Sequence, residues 1–541
     1  MSDHHSRRTF LKGVGATAAV ALGTRTVGAS VSTDRYIVDM STTSMGAMGE
    51  MDVVFDLREE IGYAVVEGSA DAMPADARYA PDIEIEIEVP QTQNGDVDAD
   101  SVDEELYPLE WDKQDQQIGE VHETTTGEGS RVGIIDDGVL GANPEDDFTH
   151  PDLEANVRED LSRNFTDDGE GPGPLADDHG THVAGTAAAA ANGRGVVGHA
   201  PDAEIVDLRV FAGASASFGS IIAAVTYGAG TANCDVVNLS LGTPPLLPVD
   251  KPASEIGPGD DPDGAGPISP TPADDLAVTV DAISAAGQFA LEQGCLPVAS
   301  AGNDSTNLDG EFGPAGNSPV VLPASADSFV SVGSTGPIGF GWPVEGRTQT
   351  AGEFELEAPA DVELPATEPS FFTNYGTDDV NVTAPGGNAD LDALAGVDGA
   401  NYDLVLSTTF EIPADTPEDT RLDEYEASYG WKAGTSMSSP QVAGLAALLS
   451  SLRPDASPTE IREQIESTAE QVGIGRAVKS TAPGADPNES TDGDFRGEPG
   501  RQGPPAGAGE PGPPTNNQLR SETYRGEGHI DSLTAVERFD D

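Results

Sequence analysis

The chain has 541 residues and sets 95 Asp and Glu against 26 Lys and Arg, only five of them Lys, for a formal charge of −69. That balance excludes a nucleic-acid binder that works by neutralising phosphates. Two cysteines exclude a disulfide-rich scaffold or a cysteine zinc cluster, and no run of 18 or more apolar residues reads as a membrane-spanning helix. With 37% hydrophobic residues, the length accommodates two to four domains or one large α/β domain with appendages.

In chain order, Ser6-Arg7-Arg8-Thr9-Phe10-Leu11-Lys12 matches the twin-arginine export signature. An apolar stretch over 13–23 follows, and Val27-Gly28-Ala29 supplies the small residues that a signal peptidase prefers. Residues 1–29 are therefore expected to address the chain to the twin-arginine translocase and the exterior. Cleavage after Ala29 leaves Ser30 first, and without a Cys there no lipid anchor is expected. Residues 30–90 read as a small α+β module, with strands at 36–38, 51–55 and 63–66 and a strictly alternating one at 83–89. The polar, acidic stretch 91–106 reads as a linker. From Trp111 onward apolar strands alternate with helices: strands at 132–136, 205–210, 236–241, 296–301 and 330–332, helices at 179–192, 219–228 and 275–293. This alternation predicts an α/β fold, a parallel sheet with helices on both faces. Three stretches rich in Pro, Gly and acids, 244–274, 336–368 and 480–525, read as surface insertions in a domain covering 107–541.

Three motifs carry chemistry. Val132-Gly133-Ile134-Ile135-Asp136-Asp137-Gly138 ends an apolar strand in a carboxylate and a glycine turn. His179-Gly180-Thr181-His182 opens an Ala-rich helix; two His at i and i+3 without a Glu between them do not make the usual zinc helix. Gly434-Thr435-Ser436-Met437-Ser438 opens another, where Ser436 could serve as an N-cap or as a hydroxyl placed where a helix N-terminus favours negative charge. Together they supply what a nucleophilic hydroxyl needs: an imidazole to take its proton and a carboxylate to orient that imidazole.

With the chain order Asp, His, Ser, the sequence resembles the subtilisin-like serine proteases, or subtilases. Its acidity and scarcity of Lys resemble exported members from salt-loving archaea. The resemblance implies a secreted endopeptidase acting through an acyl-enzyme, with Asp136, His179 and Ser436 as the triad. Asn303, in Ala299-Ser300-Ala301-Gly302-Asn303, would be the oxyanion donor, and Ser240, Leu241 and Gly242 would line the substrate cleft. The family usually has Ser or Thr where Asp137 stands; strand parity points Asp137 away from the triad. His150-Pro151-Asp152-Leu153 and 192–196 resemble the family's calcium segments, implying side-chain ligands from Asp152 and Asn192 and carbonyl ligands from Ala190, Arg194 and Val196.

The 30–90 module resembles the family's inhibitory propeptide, through Glu60-Ile61-Gly62-Tyr63-Ala64-Val65-Val66 and Pro81-Asp82-Ile83-Glu84, and the resemblance implies a zymogen cut within 91–106. Removal of everything before Leu106 leaves 74 acidic and 19 basic residues, a charge of −55. Cys234 and Cys295 each precede a strand of the sheet, open to a disulfide or to two buried thiols. The expected partners are polypeptide substrates, the chain's own propeptide and the translocase, with no nucleic acid and no membrane anchor, on a monomer. Two rivals stand beside this reading. One is a catalytically inactive secreted binding protein on the same scaffold. The other is the acid-acting sedolisin branch, which shares Gly-Thr-Ser but lacks the His-Gly-Thr-His segment and has Asp in place of Asn303.

Overall fold

The computed structural model describes residues 29–86, 91–256, 268–340, 369–469 and 526–540, apart from a few positions inside those ranges. The expected export signal up to residue 28, the expected insertion at 480–525, most of that expected at 336–368 and the expected strand end at 87–89 lie outside the described residues.

Four strands open the fold: β1 (Ala29–Asp39), β2 (Asp52–Leu57), β3 (Tyr63–Glu67) and β4 (Arg78–Glu86). They pair antiparallel in the order β2-β3-β1-β4. Period-two patterning sorts their side chains: Tyr36, Val38, Met51, Ala64 and Val66 cluster on one face, whereas Ile37, Ile83 and Ile85 join the core of the following domain. The described residues of this module are β-rich, with a 3-10 turn at Ala70–Ala72, as a small module ahead of the α/β domain.

The segment read as a linker is ordered at its start. Gln91–Asp98 forms β5. Backbone pairing alone sustains an edge strand, so polar composition does not forbid it. Short helices α1 (Trp111–Asp115) and α2 (Ile118–Val121) then lead into the α/β domain. Its strands are β6 (Arg131–Ile135), β7 (Arg163–Asn164), β8 (Glu204–Arg209), β9 (Phe211–Ala212), β10 (Ser215–Ser217), β11 (Val236–Leu239), β12 (Leu246–Val249), β13 (Ser269–Pro272), β14 (Leu296–Ser300), β15 (Val330–Thr335), β16 (Val382–Pro385), β17 (Val405–Phe410) and β18 (Ala427–Ala433). The longer helices are α3 (His179–Ala188), α4 (Phe218–Gly230), α5 (Ala273–Glu292), α6 (Thr435–Leu452), α7 (Pro458–Thr468) and α8 (Ser532–Asp540).

Seven strands make the expected parallel sheet, in the order β16-β15-β14-β11-β6-β8-β7. Strands buried on both faces read as continuous apolar runs, as Val236-Val237-Asn238-Leu239 does. Val132, Ile134, Val236 and Val298 face the core shared with α3, α6 and α8, while Ile135, Val237, Leu239 and Ala299 face that of α4 and α5.

Helix α3 stops at Ala188, short of the 192 expected, and α5 begins at Ala273, inside the insertion expected at 244–274. The rest of that insertion contributes a two-stranded parallel pair, β12 with β13. The β17–β18 hairpin and helices α7 and α8 have no counterpart in the sequence reading. Cys234 and Cys295 precede neighbouring strands β11 and β14 as two buried free thiols. Burial pushes Cys234 up to about 12 and raises Cys295 as well, so neither is a nucleophile near neutral pH.

The N-terminal sheet continues into the domain through β4, which pairs with β10, itself paired with β9. Asp82, fully buried, accepts the Gly219 N–H at the start of α4 (2.9 Å) and pairs with Arg35 (3.1 Å). Asp82→Ala removes that acceptor and is expected to cost about 1–3 kcal/mol, read as a lower urea midpoint of the full chain; an unchanged midpoint would deny the contact any weight.

Candidate active site

The parallel register aligns Ile135, Leu239 and Ala299 as one row across β6, β11 and β14. The residues that follow, Asp136, Ser240 and the loop to Asn303, therefore emerge at the carboxyl edge of the sheet, where open α/β sheets bind ligands. Two helices begin at this edge, α3 with His179 as its first residue and α6 with Ser436 as its second, and they pack against each other.

His179 Nδ1 lies 2.7 Å from Asp136 Oδ1, both residues buried. Asp136 Oδ1 also accepts the Asp137 N–H (2.9 Å). Among the described residues His179 Nε2 has no hydrogen-bond partner, so the imidazole is held at one nitrogen and unengaged at the other. Burial pushes His179 down, but the charge and hydrogen bond of Asp136, with Asp177, outweigh it against the opposing Lys432, and the imidazole sits above its ordinary value.

The turn after β6 is crowded. A Cβ on Gly138, at φ +126, would stand 2.4 Å from the backbone of Gly173, and one on Gly180 would stand 2.6 Å from Asp137 Oδ1. The absent side chains let α3 start directly against residues 136–138. Asp137 points away from the imidazole: its Oδ1 accepts the Gly180 N–H (2.6 Å) and its Oδ2 the His179 N–H (3.2 Å).

Ser436 Oγ donates to the Ser240 carbonyl (3.2 Å), and Ser240 Oγ donates to the Ser436 carbonyl (2.7 Å). The second bond has a sequence cause. Pro440 lies four residues after Ser436 inside α6 and has no N–H to give that carbonyl. Ser240, expected in the cleft lining, thus turns its hydroxyl into α6; Leu241 is buried and Gly242 half-buried beyond it. Asn303 Oδ1 accepts the Thr435 N–H (2.8 Å) and the Thr435 hydroxyl (2.9 Å), which turns its NH2 end away from Thr435. Thr435 and Lys432, whose ammonium meets Asp178 (2.7 Å), were not singled out in the sequence. Thr435 was legible as the neighbour of Ser436; Lys432 had no local signal.

The β17–β18 hairpin holds α3 in place. Ser407 Oγ donates to the His182 carbonyl (2.8 Å), Thr408 Oγ1 to the Thr181 carbonyl (2.7 Å), and His182 Nε2 lies 3.1 Å from the Val405 carbonyl. His182 is thus a structural residue of the helix, not half of a metal pair.

The two calcium-like segments do meet, but around hydrogen-bond donors. Asp152 Oδ1 accepts from Asn192 Nδ2 (2.9 Å), and Asp152 Oδ2 accepts from Tyr429 OH (2.8 Å) and the Val196 N–H (3.1 Å). Asn192 Oδ1 is taken by the Arg194 N–H (3.1 Å), and the Ala190 carbonyl by the Asn192 N–H (2.9 Å). Burial and Asp152 raise Tyr429, which keeps its hydroxyl a donor. In this arrangement the side-chain oxygens of Asp152 and Asn192 and the Ala190 carbonyl each accept a hydrogen bond from the protein. No group of three or more His, Cys, Asp and Glu able to hold a metal occurs among the described residues.

A model of the subtilase family matches residues 127–503, well over half the chain, and the chain belongs to that family. It is 36% identical over 159 residues to an intracellular serine protease of Paenibacillus polymyxa, covering 26% of this chain and 46% of that protein. With a thermophilic serine proteinase of Bacillus sp. strain AK1 it shares 28% over 351 residues, 64% of this chain and 58% of the relative. The chain thus spans about half the length of these curated relatives. Among solved structures, the epidermin leader peptide processing serine protease of Staphylococcus aureus superposes with a TM-score of 0.56 at 19% identity, over 94% of this chain and 98% of that one, a likeness of fold.

Proposed function

We propose that the chain is a secreted serine endopeptidase that hydrolyses peptide bonds through an acyl-enzyme on Ser436. The observation that carries this reading is the buried His179–Asp136 hydrogen bond beside an unengaged Nε2, at the edge where α6 presents Ser436. In the proposed cycle, Ser436 Oγ exchanges its Ser240 acceptor for His179 Nε2, gives up its proton there and attacks the carbonyl carbon. The oxyanion is met by the Asn303 amide and the N-terminus of α6. His179 then returns the proton to the departing amine, and water repeats the sequence on the ester. Asp136 holds Nδ1–H throughout and stabilises the imidazolium. A quenched-peptide library incubated with the purified chain tests this reading: cleavage that disappears with a serine-directed inhibitor supports it, and an intact library opposes it. Asn303→Ala is expected to lower kcat by about 10²–10³-fold with little change in KM, measured on one cleaved peptide.

The N-terminal sheet enters the proposal as an inhibitory prosegment removed by the chain's own Ser436. Supporting this, β5 pairs antiparallel with β18 so that Gln91 stands opposite Ala433, three residues before Ser436. The stretch expected to be cut therefore begins beside the nucleophile. Export by the twin-arginine route enters from residues 1–29, and activity in concentrated salt from the −55 left after processing. Screening of carboxylate repulsion favours the compact state. Dilution of the processed enzyme into low salt is accordingly expected to inactivate it. Calcium has no place in the cycle, and because Asp152 is satisfied by Tyr429, Val196 and Asn192, a chelator added in concentrated salt is expected to leave the inactivation rate unchanged. Inactivation kinetics with and without chelator measure both effects.

A further inference from the structure

Asp137 stands next to the carboxylate that orients His179, is 4% exposed, and touches neither the imidazole nor the nucleophile. Its partners are the first two N–H groups of α3, donors that every helix leaves without intrahelical acceptors. The residue at the usual capping position, Asp178, makes no side-chain cap; its carboxylate goes to Lys432 instead. The cap comes from 42 residues away, through the space left by the missing Cβ of Gly180. A second carboxylate shares it: Asp177 Oδ1 accepts the same His179 N–H (3.1 Å) that Asp137 Oδ2 accepts (3.2 Å). Two carboxylate oxygens on one N–H, with Asp136 adjacent in sequence, gather negative charge, and the ammonium of Lys432, which acts on His179, is engaged by Asp178.

We propose that Asp137 and Asp177 share one proton and together position His179, Asp137 acting as a neutral acid whose carbonyl oxygen holds the Gly180 N–H while its hydroxyl donates to Asp177. Burial, then the charges of Asp177 and Asp136, push Asp137 well above the usual carboxylate range, in keeping with a retained proton. The ionisable groups facing His179 are Asp136 and Asp137 after β6, Asp177 and Asp178 before α3, His182 on α3 and Lys432 on β18. Of these Asp136 and Asp177 raise the imidazole and Lys432 lowers it. The pair therefore has two effects: it fixes where α3 begins, and through the charge on Asp177 it sets the pH above which His179 is neutral and able to accept a proton.

The inference rests on His179 being the general base, and the tests separate the two. They use kcat and KM against pH for the processed enzyme and three variants. Asp137→Asn reproduces the neutral acid, with an amide oxygen for Gly180 and an NH2 for Asp177. Its kcat is expected within about threefold of wild type, with the acid limb unmoved. Asp137→Ala leaves the Gly180 N–H without its acceptor and the His179 N–H with Asp177 alone, and is expected to lose about 10–100-fold in kcat with KM little changed. Asp177→Asn removes a charge that raises His179 and is expected to move the acid limb to lower pH. If Asp137→Asn is as damaging as Asp137→Ala, Asp137 works as an anion and the shared proton is wrong. A loss confined to KM would make Asp137 a substrate contact and also overturn the proposal, as would an acid limb that stays in place in Asp177→Asn. Should Asp137→Ala fail to fold, the two Asn variants still decide. A wild-type chain without peptidase activity would remove the general base itself, a failure distinct from all of these.

Discussion

Ser436→Ala is expected to abolish peptide-bond cleavage, with kcat falling by about a millionfold, the scale at which only binding and oxyanion stabilisation remain. Alanine fits the site, since Ser436 is buried at the first turn of α6 and only its Oγ–Ser240 hydrogen bond is lost. The fold should therefore survive, and the loss belongs to chemistry. The same variant is expected to accumulate with the N-terminal sheet still attached, because β5 lies beside the nucleophile that is proposed to cut there. Mass spectrometry of the variant made in a host without other proteases reads both outcomes. Normal processing there would separate maturation from Ser436.

Asp136→Asn is the second large effect, an expected loss of about 10⁴-fold in kcat. The amide can keep a 2.7 Å contact with His179 Nδ1 but can present its NH2 there, which favours the tautomer with the proton on Nε2, the nitrogen that must accept one. The imidazolium also loses its carboxylate. Because Asp137 faces the start of α3 and not the ring, it cannot take over. The pair of adjacent variants is thus expected to differ by several orders of magnitude although each removes one carboxylate. Steady-state kinetics on a single peptide measure the difference, and equal losses would contradict the assignment of roles.

Much of this was legible in the sequence, for physical reasons. Buried parallel strands leave continuous apolar runs, so Val132-Gly133-Ile134-Ile135 and Val236-Val237-Asn238-Leu239 declare the sheet, and the residues after them lie at its carboxyl edge. His179 and Ser436 were visible because helix starts carry small and capping residues. What stayed hidden depends on partners far along the chain. The Ser240 hydroxyl serves the Ser436 carbonyl because Pro440, far along the chain, has no N–H to give it. That Tyr429, 277 residues on, donates into the Asp152 carboxylate has no local signal either. The β17–β18 hairpin, rich in Ser, Thr and Gly, has no strong apolar period, yet its hydroxyls hold the carbonyls of α3. Helix α8 is fixed by polar contacts that no local pattern announces, Ser532 Oγ with His199 Nε2 (2.8 Å) and Gln116 Oε1 (2.7 Å).

The central claim is that Ser436 is a nucleophile activated by His179. Incubation of the wild-type chain with a fluorophosphonate probe, followed by peptide mapping, tests it most directly, because the probe needs an activated hydroxyl and no knowledge of the natural substrate. The account predicts one phosphonyl group per chain, on Ser436, lost in Ser436→Ala and strongly slowed in His179→Ala. A folded wild-type chain that takes up no probe, or takes it up elsewhere, would contradict the account and favour a binding protein on the same scaffold.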